Sequence, residues 1–177
     1  VLQIVDLQRS GVYLPDQVIC DAFRFISASI QHSSTWPIIT PYGATLVRDV
    51  LFPLVCFSQK DYQIWTEDPQ EYIRREYDLL SEYHSVKSAA LEVLSTLAQV
   101  RSNETFDMIM DMIVGILKNS TSPEAQQNPH QVEGALNVLG VLSDEIVKHP
   151  VYSQSINDIL GQYLFPHLSL QHAHGFI

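Results

Sequence analysis

Two aspartates spaced four residues apart, Asp107 and Asp111, are the side chains of this sequence whose spacing could support acid–base chemistry. Residues four apart lie on the same face of an α-helix, and Glu104 falls on that face as well. A general acid–base site also needs a base or nucleophile in a pocket, and the sequence indicates neither. We interpret the three carboxylates as an exposed helix face, and we predict no catalytic residue and no enzymatic activity.

The sequence also shows no motif that is typical of a metal or cofactor site. A zinc site needs about four Cys or His ligands at close spacing, whereas Cys20 and Cys56 are distant and the histidines are scattered. The close pair His172 and His174 is more typical of a turn. The seven glycines are dispersed, with no phosphate-binding loop. We predict no metal and no cofactor, and we expect two buried free thiols in a reducing compartment, a disulfide between them being the alternative.

The net charge and composition of the chain indicate which classes of partner it can bind. The chain has 177 residues, with 20 acidic against 10 basic side chains and a net charge of −10. This charge repels nucleic acid and anionic membrane and favours basic partners. The longest apolar run, residues 50–57, is far shorter than the about 20 residues of a membrane span. The chain begins at Val1 without a signal peptide, and we expect a soluble piece of a longer protein.

The elements that would position these side chains are helices. Six segments carry apolar residues at alternating three- and four-residue spacing, which is typical of helices with one buried face. Pro53 falls inside the second segment, where it should perturb the helix because it lacks a backbone N–H. The six stripes comprise Ile19, Ala22, Phe23, Ile26 and Ile30; Leu46, Val47, Val50, Leu51 and Leu54; Val86, Ala89, Ala90, Val93, Leu94 and Leu97; Phe106, Ile109, Met110, Ile113, Val114 and Leu117; Val132, Ala135, Leu136, Leu139, Leu142 and Ile146; and Ile156, Ile159, Leu160, Tyr163, Leu164 and Leu168.

The helices repeat in pairs. A shift of 113 residues places Leu51-Phe52-Pro53 on Leu164-Phe165-Pro166, and a shift of 45 places Ala90-Leu91 on Ala135-Leu136. A period of this length with two helices per unit is typical of HEAT or armadillo solenoids. An ordinary helical bundle is the alternative, but it gives no reason for the repeated tripeptide. We predict an all-α HEAT-repeat solenoid of about three to four repeats. Residues 1–10 would end a preceding repeat, 14–58, 85–119 and 129–171 would be repeats, and 59–84 would be a short acidic helical insertion.

The insertion stands apart in composition. Between Asp61 and Glu82 there are seven acidic residues against two arginines. Pro69 fits the first turn of a short helix, whose positive end would favour Glu67, Asp68 and Glu71 nearby. We expect Tyr72, Ile73 and Tyr77 to pin this helix to the scaffold. The acids would either stay solvated or form a contact surface for a basic partner.

The run from Ile64 to Arg75 contains Glu-Asp-Pro-Gln-Glu-Tyr-Ile-Arg-Arg and resembles a signature of the importin β-like nuclear transport receptors, the β-karyopherins. In that family this acidic segment lies between central HEAT repeats of the importin seven and importin eight branch, and the CAS exportin has a variant form. Glu133-Gly134-Ala135-Leu136 and Tyr163-Leu164-Phe165-Pro166 add to the similarity. The resemblance covers the chain from about Asp61 onward and implies a central fragment of a longer superhelix.

The resemblance implies a receptor that is controlled by Ran GTPase and shuttles between cytoplasm and nucleus. First helices would face phenylalanine-glycine nucleoporins, while second helices would line a concave surface for basic cargo of the histone or ribosomal-protein type. The interaction residues would be Glu104, Asp107 and Asp111 on that surface, with Glu67, Asp68 and Glu71 on the insertion. Ran would bind mainly through repeats outside this chain. A HEAT scaffold of another class and an exportin of the CAS type are the alternatives.

Overall fold

The computed structural model describes residues 12–76, 85–120 and 129–165, and within these ranges the chain forms helices, turns and connecting segments without strands. The all-α prediction is confirmed. The helices are α1 Asp16–Gln31; α2, made of the consecutive pieces Trp36–Ile39, Thr40–Tyr42 (3-10), Gly43–Thr45, Leu46–Leu51 (π) and Phe52–Val55; α3 Gln59–Glu67; α4 Pro69–Glu76; α5 Val86–Val100; α6 Ser102–Ser120; α7 Pro129–Val141; α8 Ser143–Lys148; and α9 Tyr152–Ile159, continued by the π segment Leu160–Leu164. The predicted assignments of residues 1–10 and 166–171 lie outside the described residues.

Neighbouring helix pairs stack on one another around one continuous core. Helix α1 lies along α5, α5 packs on α6, and α6 packs on α7, while the end of α2 contacts both α5 and α7. A buried hydrogen bond of 2.8 Å between the hydroxyls of Ser27 and Thr96 joins α1 to α5. Each pair therefore covers the apolar face of the next, as a solenoid requires.

The predicted apolar stripes form this core. All five members of the first stripe are buried, as are most members of the second to fifth, and only Leu54, Val86, Val114 and Leu136 remain half-buried. In the last stripe Ile159 alone is buried among the described members, and Leu168 lies outside the described residues. The fifth stripe is also divided, since a turn at Leu142 separates α7 from α8, where a single helix was expected.

The two Leu-Phe-Pro sites share a rare local structure. The π segment Leu46–Leu51 precedes Pro53 by two residues, and the π segment Leu160–Leu164 precedes Pro166 by two residues. The N–H of Phe52 accordingly bonds to the carbonyl of Val47, five residues back. A proline cannot donate and crowds the carbonyl four residues before it, and a widened turn accommodates this conflict. The perturbation predicted at Pro53 thus recurs about 113 residues later.

One helical run, Trp36–Glu67, has the length and composition of a membrane span. The backbone is extended at Cys56, which separates α2 from α3 and divides that run. Within this run Val47, Leu51 and Val55 are fully buried between neighbouring helices, whereas Ile38 is 64% exposed. The buried residues of the run belong to the protein core.

Candidate protein-interaction surface

The acidic insertion contains two short helices, and two of its acids act as helix caps. Ser58 and Asp61 form a capping box at the start of α3, with Asp61 Oδ2 accepting from the Ser58 N–H at 2.8 Å. Asp68 Oδ1 accepts from the N–H groups of Gln70 and Glu71, both at 3.1 Å, at the start of α4. Pro69 opens α4, as the sequence predicted. Capping satisfies N–H groups that a helix leaves without partners, so Asp68 has a structural role.

An aromatic chain attaches the insertion to the solenoid. Tyr72 is buried and meets Phe57 and Trp65 edge-on, with ring centroids 5.4 and 5.6 Å apart. Phe57 in turn stacks on His130 of α7 at 5.6 Å. The expected anchor Tyr72 is confirmed. Ile73 was wrongly expected to be a second anchor, since 48% of its surface is exposed, and Tyr77 lies outside the described residues.

Two arginines neutralise the insertion acid Glu71. Its carboxylate accepts from Arg75 Nε at 2.7 Å and lies 2.6 Å from Arg74 Nη2. The hydrogen bond from Arg75, followed by that from Arg74, lowers the pKa of Glu71. Because these pairs are exposed, they contribute little to stability. Among the insertion acids whose burial the structure describes, Glu67 and Asp68 are the exposed ones.

On α6, the predicted acid Glu104 contacts the preceding repeat. Its Oε2 accepts from the indole Nε1 of Trp36 at 2.8 Å. Arg101 completes the contact, because its guanidinium lies 5.1 Å from the Trp36 ring centroid and its Nε donates to the carbonyl of Ile30 at 3.0 Å. A hydrogen bond to a charged group and a cation–π contact both favour this arrangement. Glu104 therefore helps to attach α6 to the start of α2.

The next acid, Asp107, contacts the following repeat through Tyr152. Burial, the hydrogen bond to Asp107 and the charges of Asp107 and Asp111 together raise the pKa of Tyr152 to about 12. Tyr152 also meets the ring of Phe106 edge-on at 5.5 Å. The structure thus brings the predicted acids of α6 onto one exposed face, with Glu104 and Asp107 also joining neighbouring repeats.

A buried ion pair was not predicted from the sequence. Lys87 Nζ lies 2.8 Å from Glu133 Oε1, and the two side chains are only 14% and 10% exposed. Asn137, one turn further along α7, donates to the same oxygen. The pair joins α5 to α7. The sequence does contain one indication of this ion pair. Helix α7 has no Lys or Arg that could pair with Glu133 from within the same helix.

Cys56 lies beside this ion pair and against Gly134. A β-carbon at Gly134 would be 2.7 Å from Cys56 Sγ. Both cysteines are free thiols, but Cys56 is half-buried, so the expectation of full burial holds only for Cys20. Burial, together with the charge of Glu133 and against the opposing charge of Lys87, raises the pKa of Cys56 to about 12.

We expect Cys56 to react with iodoacetamide at pH 8 about a thousandfold more slowly than an unperturbed thiol, because a pKa higher by three units leaves about a thousandth of the thiolate. Peptide mass spectrometry of timed samples measures the rate, and the urea-unfolded chain serves as the control that should react at the ordinary rate. Rapid alkylation of Cys56 in the folded chain would contradict this environment.

Two pockets of about 420 Å³ each open on the described surface. The first lies along α5 and is lined by Leu91, Thr96 and Val141 together with Ser88, Glu92, Ser95 and Gln99. The second lies where the end of α2, the segment leading to α3 and the start of α7 meet. No cluster of potential metal ligands occurs among the residues that the structure describes.

The sequence matches the Cse1 family over residues 5–159, which is most of the chain. The chain belongs to this family of importin β-like proteins. It is 32% identical to the importin beta-like SAD2 homolog of Arabidopsis thaliana over 98% of this chain and 17% of that protein. Human importin-8 is 32% identical over 94% of the chain and 15% of its own length. A probable importin-7 homolog of Dictyostelium discoideum is 27% identical over 87% of the chain and 14% of its own length.

The chain thus spans about a sixth of the length of the curated relatives it matches. No solved structure matches it. The resemblance inferred from the acidic signature, including its assignment to the branch of importin seven and importin eight, is confirmed by these relatives, and the solenoid fold agrees with the family match.

Proposed function

We propose that these repeats are a central part of a Ran-dependent nuclear import receptor, without catalytic activity, that shuttles between cytoplasm and nucleus. The observation that carries the proposal is the similarity to importin-8 over 94% of the chain, which includes the acidic insertion. Ran would be bound mainly through repeats outside this chain.

The cargo in this proposal is a basic protein of the histone or ribosomal-protein type. The net charge of −10 attracts such proteins, and Asp107 and Asp111 present exposed carboxylates on one face of α6. Glu67 and Asp68 offer a second acidic contact on the insertion, whereas the neutralised Glu71 contributes less. Single exposed pairs are weak, so affinity would come from many contacts spread along the solenoid.

Phenylalanine-glycine nucleoporins would bind at the first helices of the repeats. The pocket along α5 could hold the phenylalanine ring of such a repeat, since Leu91 and Val141 provide apolar surface for it. Ser95 and Gln99 at its edge can bond to the backbone of an extended peptide. A shallow pocket of this kind suits brief, repeated contacts better than tight binding.

Replacing both Asp107 and Asp111 with Asn should weaken binding of an Arg- and Lys-rich peptide about two- to tenfold, because each exposed charge contact is worth about 0.2–1 kcal/mol. Fluorescence anisotropy at low and physiological salt measures the change, and the loss should shrink as salt screens the charges. Asp21→Asn on α1, also an exposed carboxylate, is the matched control and should leave binding unchanged. Equal affinity of the double variant and the parent chain at low salt would remove the α6 face from the cargo surface.

A further inference from the structure

The second pocket is lined by both apolar and polar side chains. Phe52, Pro53 and Phe57 provide its apolar floor, as we use the term here for these three residues, and the pocket has a volume of about 420 Å³. Arg48, Gln59, His130 and Gln131 supply its polar groups from three different elements, namely α2, α3 and α7. Pockets in which a few polar groups converge beside apolar side chains are typical ligand sites.

Arg48 lines this pocket and, like Lys60, has no acidic partner among the described residues. It lies on the π segment of α2, its side chain is exposed, and it forms neither an ion pair nor a hydrogen bond with any residue of the described ranges. The cations Arg24, Lys87 and Lys148, by contrast, each lie within 3.0 Å of a carboxylate oxygen. In a chain of net charge −10, a cation without a described acidic partner at a pocket is the place where an anionic group would be favoured.

We propose that this pocket binds a peptide segment in which a carboxylate side chain neighbours an aliphatic or aromatic one. The guanidinium of Arg48 can hold a carboxylate through two parallel hydrogen bonds. The floor formed by Phe52, Pro53 and Phe57 then buries the adjacent apolar side chain. The amides of Gln59 and Gln131 can donate to and accept from the peptide backbone.

This partner has the opposite charge from the basic cargo proposed above and meets a different part of the surface. Because the rest of the chain is acidic, an acidic peptide should gain nothing from non-specific attraction, so its binding depends on the pocket itself. The two proposals therefore fail independently, since loss of one interaction leaves the other unchanged.

Anisotropy with the full chain and a labelled peptide containing Asp-Leu-Glu-Phe tests the proposal. We expect Arg48→Gln to weaken binding about tenfold, because a charge-assisted hydrogen-bonded pair is lost, and Arg48→Lys to weaken it less. Lys148→Gln, which removes an equal charge from α8, should have no effect, and circular dichroism should show all three variants folded. Peptides with Asn-Leu-Gln-Phe and with Asp-Ser-Glu-Ser should both bind more weakly than the original.

Three outcomes would overturn the proposal. The first is equal binding of the amide peptide, which would remove the carboxylate from the recognition. The second is an Arg48→Gln variant with unchanged affinity. The third is displacement of the peptide by inorganic phosphate together with unchanged binding of the serine-substituted peptide, which would mean a simple anion site.

Discussion

Replacing Lys87 with methionine is expected to lower the free energy of unfolding by about 3–5 kcal/mol, because it leaves the carboxylate of Glu133 buried without its cation. The variant removes the charge but keeps a flexible side chain of similar length, so the loss reports the charge and not a cavity. Urea unfolding followed by circular dichroism measures the change. A domain is stable by only about 5–15 kcal/mol, so this variant will lie close to the limit of folding.

Two further variants distinguish the effect of losing the charge of Lys87 from an effect on packing. The double variant Lys87→Met with Glu133→Leu should recover most of the lost stability, since apolar groups often replace a buried ion pair at little cost. Lys148→Met breaks the surface pair with Glu145 and should cost less than about 1 kcal/mol. If Lys87→Met costs no more than Lys148→Met, the pair joining α5 to α7 is not the buried contact described above.

Replacing Gly134 with alanine is expected to destabilise the chain by about 1–3 kcal/mol, although alanine is the better helix former. The added methyl group would lie 2.7 Å from Cys56 Sγ and 3.1 Å from Cys56 Cα, and a backbone atom cannot move aside as a side chain does. Thermal or urea unfolding measures the difference.

The control for Gly134 lies in the same helix. Gly140 has open space where a β-carbon would lie, so Gly140→Ala should stabilise the chain by about 0.5–1 kcal/mol. The two substitutions are chemically the same and differ only in their surroundings. We expect changes of opposite sign in the free energy of unfolding. Adding Cys56→Ala to Gly134→Ala should restore part of the loss. A stabilising effect at both glycines would refute the close approach of Cys56 to α7.

The helices and their stacking could be predicted because the signals are local and repeated. Apolar spacing identifies the buried face of each helix, and Leu51-Phe52-Pro53 with its later copy sets the register between repeats. The π segment before Pro53 also has a local origin, since the effect of proline acts within one turn. The division at Leu142 was not predicted, although Gly140 before it and Ser143 after it are residues typical of helix boundaries.

The contacts between repeats were harder to predict, because they join residues far apart in the chain. Trp36 and Glu104 are 68 positions apart, and Lys87 and Glu133 are 46 apart. Sequence alone places Glu104 on an exposed helix face but does not indicate which neighbouring side chain it meets. The acids of α6 were therefore correctly grouped, while the bonds from Trp36 and Tyr152 to two of them become apparent only in the folded chain.

Binding of a basic cargo by the receptor that contains these repeats, measured with and without GTP-loaded Ran, tests the proposed function most directly. A pull-down on immobilised histone or ribosomal protein, with GDP-loaded Ran as the control, gives the answer. We predict that GTP-loaded Ran releases the cargo and that GDP-loaded Ran leaves it bound. Ran-dependent capture of cargo would mean export, and binding that is indifferent to Ran would contradict a transport receptor of either direction.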